Sequence, residues 1–425
     1  MKNILLLIMV LLTYNVKAYG TYVVRDSEIE HVIKKIALPI FNAANINIDN
    51  IKVFIVHDNT INAYIINNKN IFIHSGLLQF SQNPNTVIGV IAHEIGHISQ
   101  QHILYKKKDI RNTVINTGLG YALGMIAAIA INPNIGQAIM SGASTINYRM
   151  FLANNREQEE VADQCALKYL DDAGYDYNGL ISLFRYFSNI GSQHGIIDQY
   201  LLTHPLNQQR LENIQSYRRK NVINNWQSDD IKNFNRIIDK VNAFFAPLNT
   251  LEDEKYSSLY IRSIINYRKS NIKKSLEQLN DLIKQTPNDP YIYELKAQIF
   301  YKVGNIKKAV KNYKIALKFL PNDLLIKLEL AQTLLLSNPG EAIPYLKQVL
   351  YHEKDNPFIW KQLAIAYGKI NNIGMSYFAF ANKFFIENDI KNFYKYANLS
   401  ETHLSKNSIY LSRINDLKRQ VKLNH

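Results

Sequence analysis

The chain is short of cysteine, of acid and of long hydrophobic runs, and each shortage excludes something. A single cysteine, Cys165, among 425 residues rules out an intrachain disulfide, so stability must come from packing or from a metal. Cys165 stands in an Ala-Leu-rich helical stretch and reads as a small buried residue. No cysteine lies near the N-terminus, which argues against a lipidated start. The apolar run Ile4–Tyr14 has 11 residues, well below the roughly 20 that a spanning helix needs. Residues 113–131 form a longer apolar stretch, but Asn116, Gly118, Gly120 and Gly124 interrupt it. It reads as a buried or membrane-touching hairpin. Acid is outnumbered, 35 Asp+Glu against 49 Lys+Arg, for a net charge of +14. From residue 250 onward there are 27 basic and 16 acidic residues, leaving only +3 to residues 1–249. Such a basic half suits acidic peptides or a peripheral contact with an anionic membrane, or is simply a solvated lysine-rich surface.

The N-terminus fixes the compartment. A positive Met1-Lys2-Asn3, the apolar run and the small or aliphatic positions of Val16-Lys17-Ala18 have the layout of a cleaved secretory signal over residues 1–18. Export places the protein in the periplasm and argues against nucleic acid as a partner. The composition, 47% hydrophobic and 20% charged, is that of a globular chain of two or three domains. Ile29, Val32, Ile33, Ile36 and Ile40 recur three and four apart and predict a helix over 28–45. Val53–Val56, Ala63–Ile66 and Ile71–Ile73 predict strands, the last two joined by a turn at Asn67-Asn68-Lys69-Asn70. A helix is expected from Asn83-Pro84-Asn85 through His93 to about His102. Another is expected over 147–172, ended by Asp171-Asp172-Ala173-Gly174, with more helix to about 245.

From residue 255 the chain repeats. Asn271-Ile272-Lys273-Lys274 recurs as Asn305-Ile306-Lys307-Lys308, and Pro287-Asn288-Asp289 as Pro321-Asn322-Asp323, each 34 residues on. Ala297 and Ala331 keep the same offset. That period, with small residues where paired helices touch, is the tetratricopeptide pattern, and about four such repeats stack into a solenoid. The fold class expected is mainly α. It combines an α+β domain with a small sheet (19–248), an all-α tetratricopeptide solenoid (255–400) and a C-terminal helical tail (401–425).

The chemistry lies in two short segments. His93 and His97 are four apart on a helix, so both imidazoles reach one metal. Glu94 projects beside them, where a carboxylate can take a proton from water, which is the logic of the His-Glu-x-x-His motif. A zinc site needs a third ligand. Glu159, in the segment Arg156–Asp163, can supply it, while Asp163, one turn on, can accept a hydrogen bond from a ligand histidine and fix its tautomer. Glu157 and Glu160 read as solvent-exposed, and His102 is too far along its helix to be a ligand. The strand Asn62-Ala63-Tyr64 precedes the zinc helix and is a candidate edge for an extended polypeptide substrate.

A His-Glu-x-x-His helix, a long apolar interval and then Glu-x-x-Ala-Asp resembles the HtpX-type membrane and periplasmic metallopeptidases. An exported N-terminus and C-terminal tetratricopeptide repeats narrow the resemblance to the periplasmic members that act in outer-membrane protein assembly. The resemblance implies a zincin-like metallopeptidase domain over 19–248, with one zinc ion held by His93, His97 and Glu159 and Glu94 as base. Val161 stands where such sequences often have a further Glu, a position that is not a ligand. The resemblance also implies a role for His204 in Thr203-His204-Pro205, with Arg210 downstream. His204 would fill the fourth zinc position as a gate, or stabilise the oxyanion once displaced. The implied activity is endoproteolysis of unfolded or misassembled outer-membrane proteins, with the barrel-assembly machinery as partner of the repeats. The alternatives are a tetratricopeptide adaptor or chaperone with little proteolytic activity, and an inner-membrane protease anchored by 1–18 or 113–131.

Overall fold

The computed structural model describes residues 22–48, 51–66, 70–100, 145–193, 204, 208–217, 226–252 and 256–424. The expected signal peptide, the 113–131 hairpin, the turn at 67–69, His102, Thr203 and Pro205 lie outside the described residues. The chain divides into two compact units, Met1–Leu251 and Glu252–His425. As the sequence patterns predict, the protein is mainly helical, with one small sheet and a series of helical repeats. No described helix is long and apolar enough to cross a membrane.

In the first unit, β1 (Tyr22–Val24), β2 (Lys52–His57), β3 (Ala63–Ile66) and β4 (Asn70–His74) form a sheet of order β1-β2-β4-β3. β2 and β4 run parallel, and β3 pairs antiparallel with β4 through Ala63 to Ile73 and Tyr64 to Phe72. That order makes β3 an edge strand. Helix α1 (Ser27–Ala43) begins where the Asp26 carboxylate accepts from the Ile29 amide, an N-cap that satisfies an otherwise orphaned donor. Its isoleucines at 29, 33, 36 and 40 pack with Val53, Ile55, Ile71 and Ile73 of the sheet. The same core takes Val87, Ile88, Val90, Ile91 and Ile95 from α3 (Pro84–Ser99), which follows the short α2 (Ser75–Phe80). Asn83 caps α3, and Pro84 occupies its first turn, where a missing N–H costs nothing. Then come α4 (Thr145–Asp172), α5 (Asn178–Gln193), α6 (Gln208–Ser216) and α7 (Ser228–Phe245). α4 stops at Gly174, whose φ of 74° is open to glycine. Lys240 of α7 is buried and ion-paired to Asp26 and Glu28, which ties α7 to the head of α1.

Among the described residues the second unit has ten helices in five consecutive pairs. They are α8 (Leu259–Arg268) with α9 (Ile272–Gln285), α10 (Pro290–Lys302) with α11 (Ile306–Phe319), and α12 (Leu324–Leu334) with α13 (Pro339–His352). α14 (Pro357–Lys369) with α15 (Ile373–Ile386), and α16 (Ile390–His403) with α17 (Ile409–Asn424), complete the series. First helices from Pro290 onward start 34, 33 and 33 residues apart. Small residues sit inside the pairs, Ala297 and Ala309 being fully buried. Ser275 donates to the Ser263 carbonyl, as Ser376 does to that of Ala364, each at 2.8 Å.

Candidate metal centre

The centre is built where α3 crosses α4. A hypothetical Cβ on Gly96 would lie 2.7 Å from the carbonyl oxygen of Ala162, so only glycine lets the helices approach this closely. Both small residues belong to the motifs themselves, Gly96 within His93–His97 and Ala162 beside Asp163. At the other end of α3, Gly179 of α5 packs as tightly on Asn85 and Thr86. His93, Glu94, His97, Glu159 and Asp163 are all buried as a result, and His204 joins them from the segment before α6.

Four side chains converge. One donor atom from each of His93, His97, Glu159 and His204 lies within 4.8 Å of the other three. His93 Nε2 is 3.2 Å from His97 Nε2, 3.3 Å from His204 Nδ1 and 3.2 Å from Glu159 Oε2. His97 Nε2 is 3.3 Å from Glu159 Oε1, and His204 Nδ1 is 3.0 Å from Glu159 Oε2. A tetrahedral zinc with bonds near 2.05 Å has ligand atoms about 3.3 Å apart, so the spacing fits that ion. Charge fits too. With neutral imidazoles, Glu94, Glu159 and Asp163 against Arg210 leave two buried negative charges, which a divalent cation neutralises. Nitrogen and carboxylate donors in this number suit zinc.

Around the ligands runs a supporting network. His93 Nδ1 is 2.9 Å from Asp163 Oδ1. Arg210, wholly buried, donates from Nε to Asp163 Oδ2 at 2.6 Å and from Nη2 to Oδ1 at 2.9 Å, while its Nη1 lies 3.4 Å from Glu159 Oε2. Its guanidinium also stacks over Phe184, 5.0 Å from the ring centre. Arg210 therefore fixes Asp163 and steadies Glu159 at once, a role that the sequence patterns left unassigned. The only sequence signal for it was its place six residues after His204.

The ionisations follow from these contacts. Burial pushes the His93 imidazole down, but hydrogen bonds to Asp163 and Glu159 outweigh it and hold the group up at about 10. Burial dominates at His97 and pushes it down to about 3. The metal-free pair thus carries one positive charge near neutral pH, on the ring that faces two carboxylates. Burial works against both acids, yet His204 and His97 hold Glu159 well below the usual carboxylate range, and His93 and Arg210 hold Asp163 low.

Glu94 lies beside the ligands, its Oε1 3.4 Å from His204 Nε2. His204 therefore spans the ligand cluster and the expected base with its two ring nitrogens. Asn62, Ala63 and Tyr64 lie at and just before the start of edge strand β3, and Tyr64 stacks on Phe72 across the pair. Glu157 is exposed as expected, whereas Glu160 is half-buried. Cys165 also departs from expectation, being half-buried and not enclosed. It sits at the rim of the α3–α4 seam, where Gln100 Nε2 approaches its sulfur at 3.4 Å.

Comparison with known proteins bears out the resemblance read from the motifs. Residues 24–218 match the family described as peptidase family M48. The chain is similar to the beta-barrel assembly-enhancing protease of Escherichia coli K12, with 27% identity over 158 residues, 37% of this chain and 32% of that protein. The Yersinia pestis protein of the same name is 20% identical over 331 residues, covering 74% of this chain and 67% of its own. Metalloprotease YcaL of Escherichia coli K12 is 27% identical over 184 residues, 43% of this chain and 67% of YcaL. The chain thus spans about a third of the length of the first of these relatives.

Proposed function

We propose that the protein is a zinc-dependent endopeptidase with Glu94 as its base, a reading supported by the match of residues 24–218 to peptidase family M48. The observation that carries this reading is the buried cluster of His93, His97, Glu159 and His204 with Glu94 alongside. Zinc, when bound, supplies polarisation of the scissile carbonyl and acidification of water. Glu94 takes a proton from the attacking water at its carboxylate and delivers it to the leaving nitrogen. Asp163 holds His93 by Nδ1, which leaves Nε2 free to hold the ion, and Arg210 keeps Asp163 charged and in place.

His204 is the regulatory element of this reading. It stands between Glu94 and Glu159, so it must swing away before water and a peptide enter. As a gate, its removal raises cleavage; a loss of activity in His204→Ala would favour oxyanion stabilisation instead. Asn62-Ala63-Tyr64 on the edge strand receive the substrate as an added strand, and a Tyr64→Pro variant with undiminished cleavage would sink that role. Two relatives are named for enhancing β-barrel assembly, which supports outer-membrane β-barrel proteins, unfolded or misassembled, as clients. The signal-like start of the sequence supports the periplasm as location after signal removal, and the tetratricopeptide repeats are the part that would dock to the barrel-assembly machinery.

The test is cleavage of an unfolded outer-membrane β-barrel protein by the purified chain and by Glu94→Gln, with zinc content measured for each. Both are expected to hold one zinc, with Glu94→Gln slower by about 100-fold or more. If both hold zinc and neither cleaves, the repeat-driven adaptor becomes the better account.

A further inference from the structure

Lysine is concentrated on one helix of the second unit. Between Glu294 and Asp323 the sequence has seven lysines and no acid. Five of them lie on α11, giving it +5, whereas α9 carries +1 and α13 is neutral. Lys307, Lys311, Lys314 and Lys318 are spaced four, three and four apart, which sets them on one face, and all four are exposed. At 1.5 Å per residue the row is about 16 Å long. Lysine is a good helix former, but like charges at this spacing weaken a helix, so propensity alone does not favour gathering them on one face.

A further ammonium joins the row from α10. Lys296 is half-buried and donates to Asn280 Oδ1 of α9 at 2.6 Å. Burial, then Lys308 and Lys311, lower its pKa. Lys308 in turn lies over the Phe300 ring, 5.3 Å from its centre. The row has borders. On one side is α9, with Asn280 and an Asp281 paired to Lys284 at 2.8 Å; on the other is α13, whose Glu341 pairs with Lys314 at 2.6 Å.

We propose that this face of α11, with Lys307, Lys311 and Lys318 at its centre and Lys296 and Lys308 on its flank, docks an acidic polypeptide segment of a partner protein. Width decides between polypeptide and membrane. A planar anionic surface would lie over α9 and α13 as well, which together add only +1, whereas a single segment lies along the positive row alone. Length agrees as well. Side chains on one face of an extended chain recur about every 6.6 Å, close to the roughly 5–6 Å between neighbouring lysines here. The inference does not depend on hydrolysis, because it is read by binding alone.

The experiment uses the full chain carrying Glu94→Gln and a fluorescent peptide of twelve glutamates, titrated by anisotropy at two salt concentrations. Lys307→Glu/Lys311→Glu is expected to weaken binding about tenfold or more and to flatten the salt dependence. The same charge change on α16, Lys391→Glu/Lys395→Glu, should weaken it no more than about twofold. Lys307→Gln/Lys311→Gln should lose an intermediate amount, and its circular dichroism shows whether the fold is kept. Equal losses in the two reversed variants would overturn the proposal in favour of net charge alone. So would row-dependent binding to phosphatidylglycerol vesicles without any binding to the peptide.

Discussion

The two units solve opposite problems. The second is assembled from neighbours in sequence, with alanines and serines inside each of the first four helix pairs and a period that repeats the same solution four times. The first gathers charge from places far apart. His93 meets Asp163 across 70 residues and His204 across 111, and Arg210 meets Asp163 across 47. Local patterns settle the repeat unit, while the metal centre exists only if several distant segments arrive together. Single substitutions should therefore cost much more in the first unit than at matching places in the second.

Arg210→Ala is the strongest test of that contrast. It leaves the buried Asp163 without its cation, a change that costs about 3–5 kcal/mol, and it frees His93 from its fixed orientation, which lowers metal affinity about 10- to 100-fold. Urea unfolding and competitive chelation measure the two effects. Small losses in both would show that the centre is held by the ligands alone.

A glycine pair gives the next comparison. Gly96→Ala places a methyl 2.7 Å from a backbone carbonyl. The helices bearing His93 and Glu159 must part, at about 1–3 kcal/mol and with loss of zinc. Gly368 also lies in a helix near its partner, but a Cβ there meets only Ser376 Oγ at 3.4 Å. Gly368→Ala should be neutral or stabilise by up to about 1 kcal/mol through helix propensity. Equal effects at the two positions would mean that the α3–α4 seam can give.

What could be read from the sequence divides along the same line. The helix face shared by His93 and His97, the pairing of Glu159 with Asp163 and the period of the repeats are all spacings within one element, and periodicity exposes them. Arg210 and Gly96 could not be assigned in this way. The role of one depends on a carboxylate from another helix, and that of the other on a carbonyl that approaches only after folding. Cys165 was misjudged for the same reason, since helical patterning gave its face but not the edge of the seam where that face ends.

Acid and base should separate the units without mutation. In metal-free protein, His97 titrates near 3 when folded and about 6.5 when unfolded. The unfolded chain then binds more protons between those values, so stability falls as pH drops through that window. His93, held up at about 10, acts in reverse: its contribution is complete below about 6.5 and is lost as pH rises toward 10. The first unit should be most stable near pH 6.5 without metal. Denaturation of the chelated chain across pH 4–10, with the second unit's transition as reference, checks this. A first unit that instead gained stability steadily from pH 7 to 10 would contradict the protonation assigned to His93.

The smallest expected effect lies in the repeats, where equivalent turns act as one another's controls. α8, α10 and α14 all end in the same way. The residues Ser270, Gly304 and Asn371 take φ of 64°, 80° and 61°. In each turn the following amide bonds back to the carbonyl five residues before it: Asn271 to Asn266, Asn305 to Phe300 and Asn372 to Tyr367. Only glycine adopts that left-handed conformation without a steric cost, which is about 1 kcal/mol for most residues and less for asparagine. Ser270→Gly should therefore stabilise the second unit by somewhat under 1 kcal/mol, Asn371→Gly by less, and Gly304→Ser should cost what the first gains. At about 2–4 °C per kcal/mol for a unit of this size, the three shifts are separable by thermal melting. If Ser270→Gly has no effect while Gly304→Ser destabilises, the serine must gain from its own turn what its backbone loses. The repeat unit would then share the first unit's dependence on particular polar contacts.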